Sequence, residues 1–410
     1  MSHAGRYLAV MGLTTALLLG GLALFNWAVD PYGIYPETLV SGRNDHKPGQ
    51  RGHDRMVKAH VIDQLHPDAL LLGTSRVQYG FDGNDPALRP HAERPYNAAL
   101  LGSNVYLALR YLQHAQAQAP VRLAIVGLDS LMFDIHDGDT LRDFSEARLA
   151  VDAAGRPTKA LLPVDLATTL LSYDALRLSL RSIRQQDSII SDLLPSGQRS
   201  PLALARLFAS QGSLAARMRG VEGTYLRDFG QAHFRDKAGG SFALNDLRHL
   251  VAFARAQGIA LKLFLPPAHA RMNEVIRLAG RESEVTQLKR ALVAEIATAA
   301  EGGGPGPAVE LWDFSDANAY TTETVPTAAT AELRWYFETT HFRPELGHLI
   351  LRRMLDGDTD VPELRGFGQR LTSAHLDQVL RQMQASQQSY RDTHPEDLAQ
   401  IAQLAVETSR

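Results

Sequence analysis

The hydrophobic pattern of the chain begins with an uninterrupted uncharged run, Tyr7 to Val29, YLAVMGLTTALLLGGLALFNWAV. At ~1.5 Å per residue it is long enough to cross a hydrocarbon core of ~30 Å, so it predicts a transmembrane helix. The run exceeds a signal-peptide core, and Phe25-Asn26-Trp27 offers no small-x-small cleavage pattern, so the helix is expected to be retained. Trp27 suits the far interface. Arg6 is the only basic side chain before the run, against Arg43, Lys47, Arg51 and Arg55 beyond it. The short N-terminal tail nevertheless favours N-inside, a single pass through the cytoplasmic membrane and a C-terminal domain in the periplasm or outside.

Beyond the anchor the pattern changes character. A polar stretch to about Gly52 reads as a stalk and lead-in. Short apolar runs at 69–72, 122–128, 260–265 and 308–312 then read as buried strands. Helical periodicity falls between them, at 56–65, 105–118, 242–257 and 282–300, and again at 344–355. Ser103 or Asn104 suits the N-cap of the second of these helices, and Gly258 suits C′ of the third. This alternation predicts an α/β fold, a three-layer doubly wound parallel sheet of flavodoxin-like type. From about 137 to 240 the strand rhythm stops, and apolar and basic residues alternate at helical spacing over 161–193 and 201–218. That segment predicts a helical insertion, either covering a site or elaborating the surface. The tail from about Pro362 predicts peripheral helices at 371–386 and 395–406. The resulting division is 1–29 anchor, 30–60 stalk and lead-in, 61–356 main domain with the insertion, and 357–410 peripheral helices.

Composition narrows the chemistry. The chain has 42 Lys and Arg against 45 Asp and Glu, so no extended basic surface is offered to nucleic acid. The absence of cysteine excludes disulfides, thiol catalysis and thiolate metal sites. No Walker motif, dinucleotide fingerprint, His-Glu-x-x-His or EF-hand loop occurs, so neither cofactor nor metal is implied.

Two blocks carry candidate chemistry. Asp68 to Tyr79, DALLLGTSRVQY, ends a strand in Gly73-Thr74-Ser75-Arg76. The carboxyl edge of such a sheet is where ligands bind, and Gly73 permits a tight turn that lifts the Ser75 hydroxyl clear. Ordinary turn and N-cap chemistry would use the same residues. The second block, Glu338-Thr339-Thr340-His341, lies on the loop entering the helix at Pro344. There an acid three residues before a histidine can orient the imidazole for proton transfer. Between the two blocks, Asn97 to Gly102 precedes a helix start, and Gly127-Leu128-Asp129-Ser130 follows a strand. Arg76 would either bind an anionic substrate group or pair with Asp129. His269, after Pro266-Pro267, is either a substrate contact or a loop residue, and Asp313 is a rival acid.

In their order these blocks resemble the SGNH (GDSL-like) hydrolase superfamily over about Pro67 to Leu355. Gly73-Thr74-Ser75 resembles its Gly-Asp-Ser turn, and Asn97 to Gly102 its Asn-x-x-x-x-Gly block. Gly127-Leu128-Asp129-Ser130 is similar to Gly-x-Asn-Asp, and Glu338 to His341 to Asp-x-x-His. The resemblance implies a serine nucleophile, Ser75, with base His341 and acid Glu338. It implies an oxyanion hole from the N–H groups of Ser75 and Gly102, with Asp129 at the position of the family's asparagine. Apart from the resemblance, Arg76, Asn97 and His269 are candidate substrate contacts.

The layout, with one N-terminal helix, is similar to SGNH-like proteins of alginate acetylation and teichoic acid D-alanylation. It implies an esterase or O-acyltransferase acting on acyl esters of an envelope polysaccharide or glycolipid, partnered by a membrane-bound O-acyltransferase. Two alternatives stay open. One is a noncatalytic scaffold of the same fold that binds a glycan or that acyltransferase; Thr74, Asp129 and Glu338 all depart from the family pattern. The other is a lipase or thioesterase with the 161–218 helices as a lid.

Overall fold

A computed structural model describes residues 2–135, 144–158, 163–188, 190–236, 239–302, 306–326, 328, 331–357 and 361–408. One six-stranded sheet organises it: β1 (Ala69–Leu72), β2 (Pro95–Asn97), β3 (Leu123–Gly127), β4 (Ala260–Leu265), β5 (Glu310–Asp313) and β6 (Gln369–Leu371). The order is β2-β1-β3-β4-β5-β6. The first five strands are parallel, while β6 runs antiparallel on the far edge, with Leu371 opposite Leu311.

The fold is therefore α/β with a mixed, mostly parallel sheet, and the expectation of a parallel sheet is corrected at that edge. Both β2 and β6 are three residues long, too short to leave an apolar run in the sequence. Pro95 can open β2 because an edge strand need not donate on its outer side.

The period-two alternation of a strand divides the core into two. Leu70, Leu72, Val126 and Leu263 face one side, where they meet Leu112, Val251 and Leu292. Ala69, Leu71, Ile125 and Phe264 face the other, where they meet Val77, Leu346 and Ile350. Helices thus cover both faces.

The helices in chain order begin with α1 (His3–Val29), α2 (Asp54–Leu65), α3 (Ser75–Gly80) and α4 (Val105–Gln118). The insertion supplies α5 (Pro163–Leu170), α6 (Tyr173–Arg184), α7 (Pro201–Ser210) and α8 (Leu214–Gln231). Then follow α9 (Phe242–Ala256), α10 (Arg271–Leu278), α11 (Glu282–Gly302), α12 (Pro344–Asp356), α13 (Leu376–Thr393) and α14 (Pro395–Thr408). Asn104 caps α4 by accepting from Leu107 N–H at 3.0 Å.

Among the described residues, α1 is the one helix long and apolar enough to cross a membrane. The polar segment after it, expected as a stalk, is instead folded against the domain. Tyr32 and Ile34 are buried with Met56, Val57 and Leu178. Asp30 accepts from the N–H groups of Gly33, Ile34 and Tyr35 at 3.0–3.1 Å, and pairs with Lys47 at 3.2 Å. A few buried residues among many polar ones gave no periodic signal. The tail is also more than peripheral: besides β6, it sends Leu380, Ile401 and Leu404 into the core.

Candidate functional site

β1 hands the chain to α3 through Gly73, whose φ is +141°. A Cβ there would lie 2.7 Å from Val77 Cγ2 and 3.0 Å from the Gly127 carbonyl, so only glycine fits. Thr74 caps α3, and Ser75 is the first helical residue, half-buried at the carboxyl edge of the sheet.

A short loop on the far side brings the second block to it. Tyr336 and Phe342 bridge antiparallel, and Phe337 N–H donates to the His341 carbonyl at 2.8 Å. Pro344 then opens α12. His341 Nε2 lies 2.8 Å from Ser75 Oγ across 266 residues of sequence. Its Nδ1 is bonded to Glu338 Oε1. With Nδ1–H donating to the carboxylate, Nε2 is left as the acceptor for the serine proton.

Glu338 is fully buried. It accepts from Thr340 N–H at 2.8 Å and His341 N–H at 3.0 Å. Burial alone would raise its pKa; the His341 ring and these backbone donors outweigh burial and hold the carboxyl below its ordinary range.

The remaining sequence candidates fall on both sides of the cleft wall. Gly102 (φ +56°) has open space where a Cβ would be, and it lines the same cleft as Ser75. Asp129 also lines it, but its charge is engaged: Arg76 Nη1 lies 2.9 Å from Oδ1, and Thr74 Oγ1 donates to Oδ2. Burial works against the Arg76 charge, and the Asp129 carboxylate more than compensates, so its pKa is raised. Of the two expected roles for Arg76, the ion pair is therefore the one occupied.

Asn97 lies inside the fold. It is fully buried, donates to the Val77 and Phe81 carbonyls at 2.9 and 2.7 Å, and accepts from Ala99 N–H at 3.0 Å. His269 is also interior, with Nε2 2.7 Å from the Glu323 carbonyl. Its backbone N–H donates to the Thr339 carbonyl at 2.9 Å, beside Glu338. Both expected substrate contacts are corrected to structural roles: a side chain saturated by backbone partners has nothing left to offer a substrate. Asp313 is buried and pairs with Lys289 at 2.7 Å.

Several neighbours escaped the sequence reading. Tyr79 stacks on His341, with centroids 4.6 Å apart and planes at 25°. It stands four residues after Ser75 and so shares its face of α3, a signal that was available. Tyr225 lies beneath Arg76, whose guanidinium carbon is 5.9 Å from the ring centroid. It comes from α8, and no local pattern announces it. Leu204 and Phe208 of α7 pack on Tyr79, with Leu101 and Phe337 against them. The insertion therefore walls the site.

The cleft holds about 360 Å³. Apolar side chains (Leu128, Phe229, Met272) share its lining with polar ones (Arg76, Asn273, Lys289).

One buried lysine supports the loop carrying Gly102. Lys58 Nζ donates to the Asn97 and Ala99 carbonyls at 2.9 and 2.5 Å. Burial pushes its pKa down to about 7, against the attraction of Asp54. The ordinary value is ~10.4. Between those values the unfolded chain holds a proton that the folded protein has shed, so stability rises with pH across that window. Thermal unfolding of wild type and Lys58→Met from pH 6.5 to 9.5 is expected to show the difference shifting in favour of wild type. The slope approaches ~1.4 kcal/mol per pH unit. Parallel curves would mean that Lys58 keeps its proton throughout.

No family model matches the chain, and no curated protein matches it.

Proposed function

We propose that this is a membrane-anchored serine esterase or O-acyltransferase of the SGNH (GDSL-like) type, with a doubly wound catalytic layer. It would work on the outer side of the cytoplasmic membrane, on acyl esters of an envelope polysaccharide or glycolipid. The observation that carries the reading is the bonded series Ser75 Oγ, His341 Nε2, His341 Nδ1 and Glu338.

Ser75 Oγ attacks the ester carbonyl while His341 Nε2 takes its proton, and Glu338 steadies the imidazolium. The same proton then passes to the leaving alkoxide, which departs as an alcohol. Water, or a second sugar hydroxyl, attacks the acyl-serine; its proton goes to His341 and returns to Ser75 Oγ. Water gives hydrolysis, and a sugar hydroxyl gives transfer. The N–H groups of Ser75 and Gly102 are the oxyanion donors, a contribution worth ~3 kcal/mol per donor in other enzymes. Asp129 in the place of an amide donor would repel the oxyanion if bare. Its pairing with Arg76 and Thr74 supports activity despite that departure.

The mixed lining of the cleft favours a short acyl group on a polar acceptor over a fatty chain. It thus argues against the lipase or thioesterase alternative. A membrane-bound O-acyltransferase would supply the acyl group. In the scaffold alternative the same cleft binds a glycan without turnover.

The full-length protein in detergent is expected to hydrolyse p-nitrophenyl acetate and to be labelled by a fluorophosphonate on the peptide containing Ser75. Hydrolysis equal to that of Ser75→Ala, with no label on either protein, would leave the noncatalytic scaffold.

A further inference from the structure

Helix α6 carries two faces. Ala175, Leu178, Ser179 and Ser182 are buried. On the other side Tyr173 (79% exposed), Leu180 (36%) and Ile183 (52%) stand in solvent, with Leu176 half-buried between them. Positions 173, 176, 180 and 183 recur at helical spacing and form one apolar stripe. Arg177, Arg181 and Arg184 are exposed beside it, Arg177 paired with Asp174 at 2.8 Å.

The small buried residues let α6 approach the anchor closely. Ser179 Oγ donates to Asn26 Oδ1 at 2.8 Å, and Asn26 Nδ2 donates to the Leu170 carbonyl at 2.8 Å. Apolar residues continue around the anchor. Leu166 and Leu171 are exposed at the α5–α6 corner, and Leu39 and Val40 on the loop after α1. That loop is fixed in place, because Asn44 Nδ2 donates to the Ala28 and Val29 carbonyls at 3.2 and 3.0 Å.

The height of these contacts follows from helix geometry. The 27 residues of α1 span ~40 Å, about 10 Å more than a hydrocarbon core. Exposure along α1 is unbroken from Tyr7 to Gly21, and partly covered positions begin at Leu22. From Leu22 to Val29 is ~10 Å of axis. The insertion therefore meets the anchor over the stretch where α1 leaves the hydrocarbon.

We infer that α6, with Leu166, Leu171, Leu39 and Val40, lies in the outer interface of the same bilayer as a second membrane contact. Its occupant is an anionic phospholipid surface. The apolar stripe enters the headgroup–acyl boundary, and Arg181 and Arg184 meet lipid phosphates, the composition of an interfacial helix. Together with the folded segment after Asp30, this holds the catalytic domain at a fixed height above the membrane. The inference rests on α1 crossing the bilayer.

The chain has no cysteine, so single cysteines can be labelled with an environment-sensitive fluorophore. Full-length Leu180→Cys, Ile183→Cys, Leu17→Cys, Phe242→Cys and Val406→Cys would be reconstituted into phosphatidylethanolamine–phosphatidylglycerol vesicles carrying nitroxide lipids. Phe242 and Val406 are also exposed apolar positions, 79% and 56%, but on α9 and α14. A nitroxide near the headgroup is expected to quench the 180 and 183 labels at least ~2-fold and to leave the 242 and 406 labels unchanged. A nitroxide deep in the acyl chain should quench the label at 17, which checks the anchor by itself. Quenching at 17 with none at 180 and 183, and iodide quenching there equal to that at 242, would overturn the inference and leave α6 facing water. Iodide and lipid both failing at 180 and 183 would overturn it in favour of a protein partner. No quenching at 17 would remove the anchor and the inference together.

Discussion

On the proposed mechanism, His341→Gln is expected to lower kcat for an activated acetate ester by a factor of about 10³ to 10⁶, as removal of the base does in serine hydrolases. Glutamine can still accept a hydrogen bond from Ser75 Oγ, now 2.8 Å from the imidazole, but it cannot take the proton. Adding Ser75→Ala to this variant should cost little more, because nucleophile and base act as one unit.

A second readout distinguishes this from simple misfolding. In the wild type Glu338 has a depressed pKa. Its stabilising contribution is therefore complete above the ordinary carboxylate range and lost as pH falls through the lower folded value. Without the imidazole, burial, which raises the pKa, is opposed chiefly by the backbone N–H groups of positions 340 and 341. Acid unfolding of His341→Gln should therefore begin at a higher pH than in wild type. A variant that keeps activity within tenfold, with an unchanged acid limb, would show that His341 is not the base.

Most of the candidate site was legible in the order of blocks along the chain, because each lies at a strand end or helix start that local pattern marks. Ser75 follows an apolar tetrapeptide and a glycine, and His341 precedes a proline that can only open a helix there. What local pattern cannot carry is partnership across the sheet. The engagement of Asp129 by Arg76 and Thr74, and the place of Tyr225 under Arg76, depend on β3 and on α8 of the insertion, 50 to 150 residues away. The same blindness explains Asn97 and His269. Each stands in a plausible position for chemistry, and only the fold shows that backbone groups have consumed its hydrogen-bonding capacity. The two edge strands were missed for a simpler reason: three residues do not make a period.

Gly347→Ala is expected to damage both stability and turnover. A Cβ at position 347 would lie 1.8 Å from the Gly80 carbonyl oxygen and 2.9 Å from Phe81 Cδ1. At Gly80 it would lie 2.0 Å from Phe342 Cε2. The helices α3 and α12 thus meet backbone to backbone, and no side-chain rotation can make room. Ser75 stands at the start of α3, five residues before Gly80, and His341 stands three residues before α12. Forcing the helices apart must therefore stretch the Ser75–His341 contact. Alanine gains ~1 kcal/mol over glycine in a helix interior, but overpacking costs ~1–3 kcal/mol and more where the obstacle is backbone. A displacement of ~1 Å at reacting groups costs about 10² in rate. Gly220→Ala, in α8 with nothing within 4 Å of the added carbon, serves as the control and should melt at or above the wild-type temperature. If Gly347→Ala melts and turns over like the control, the contact between α3 and α12 does not set the distance from Ser75 to His341.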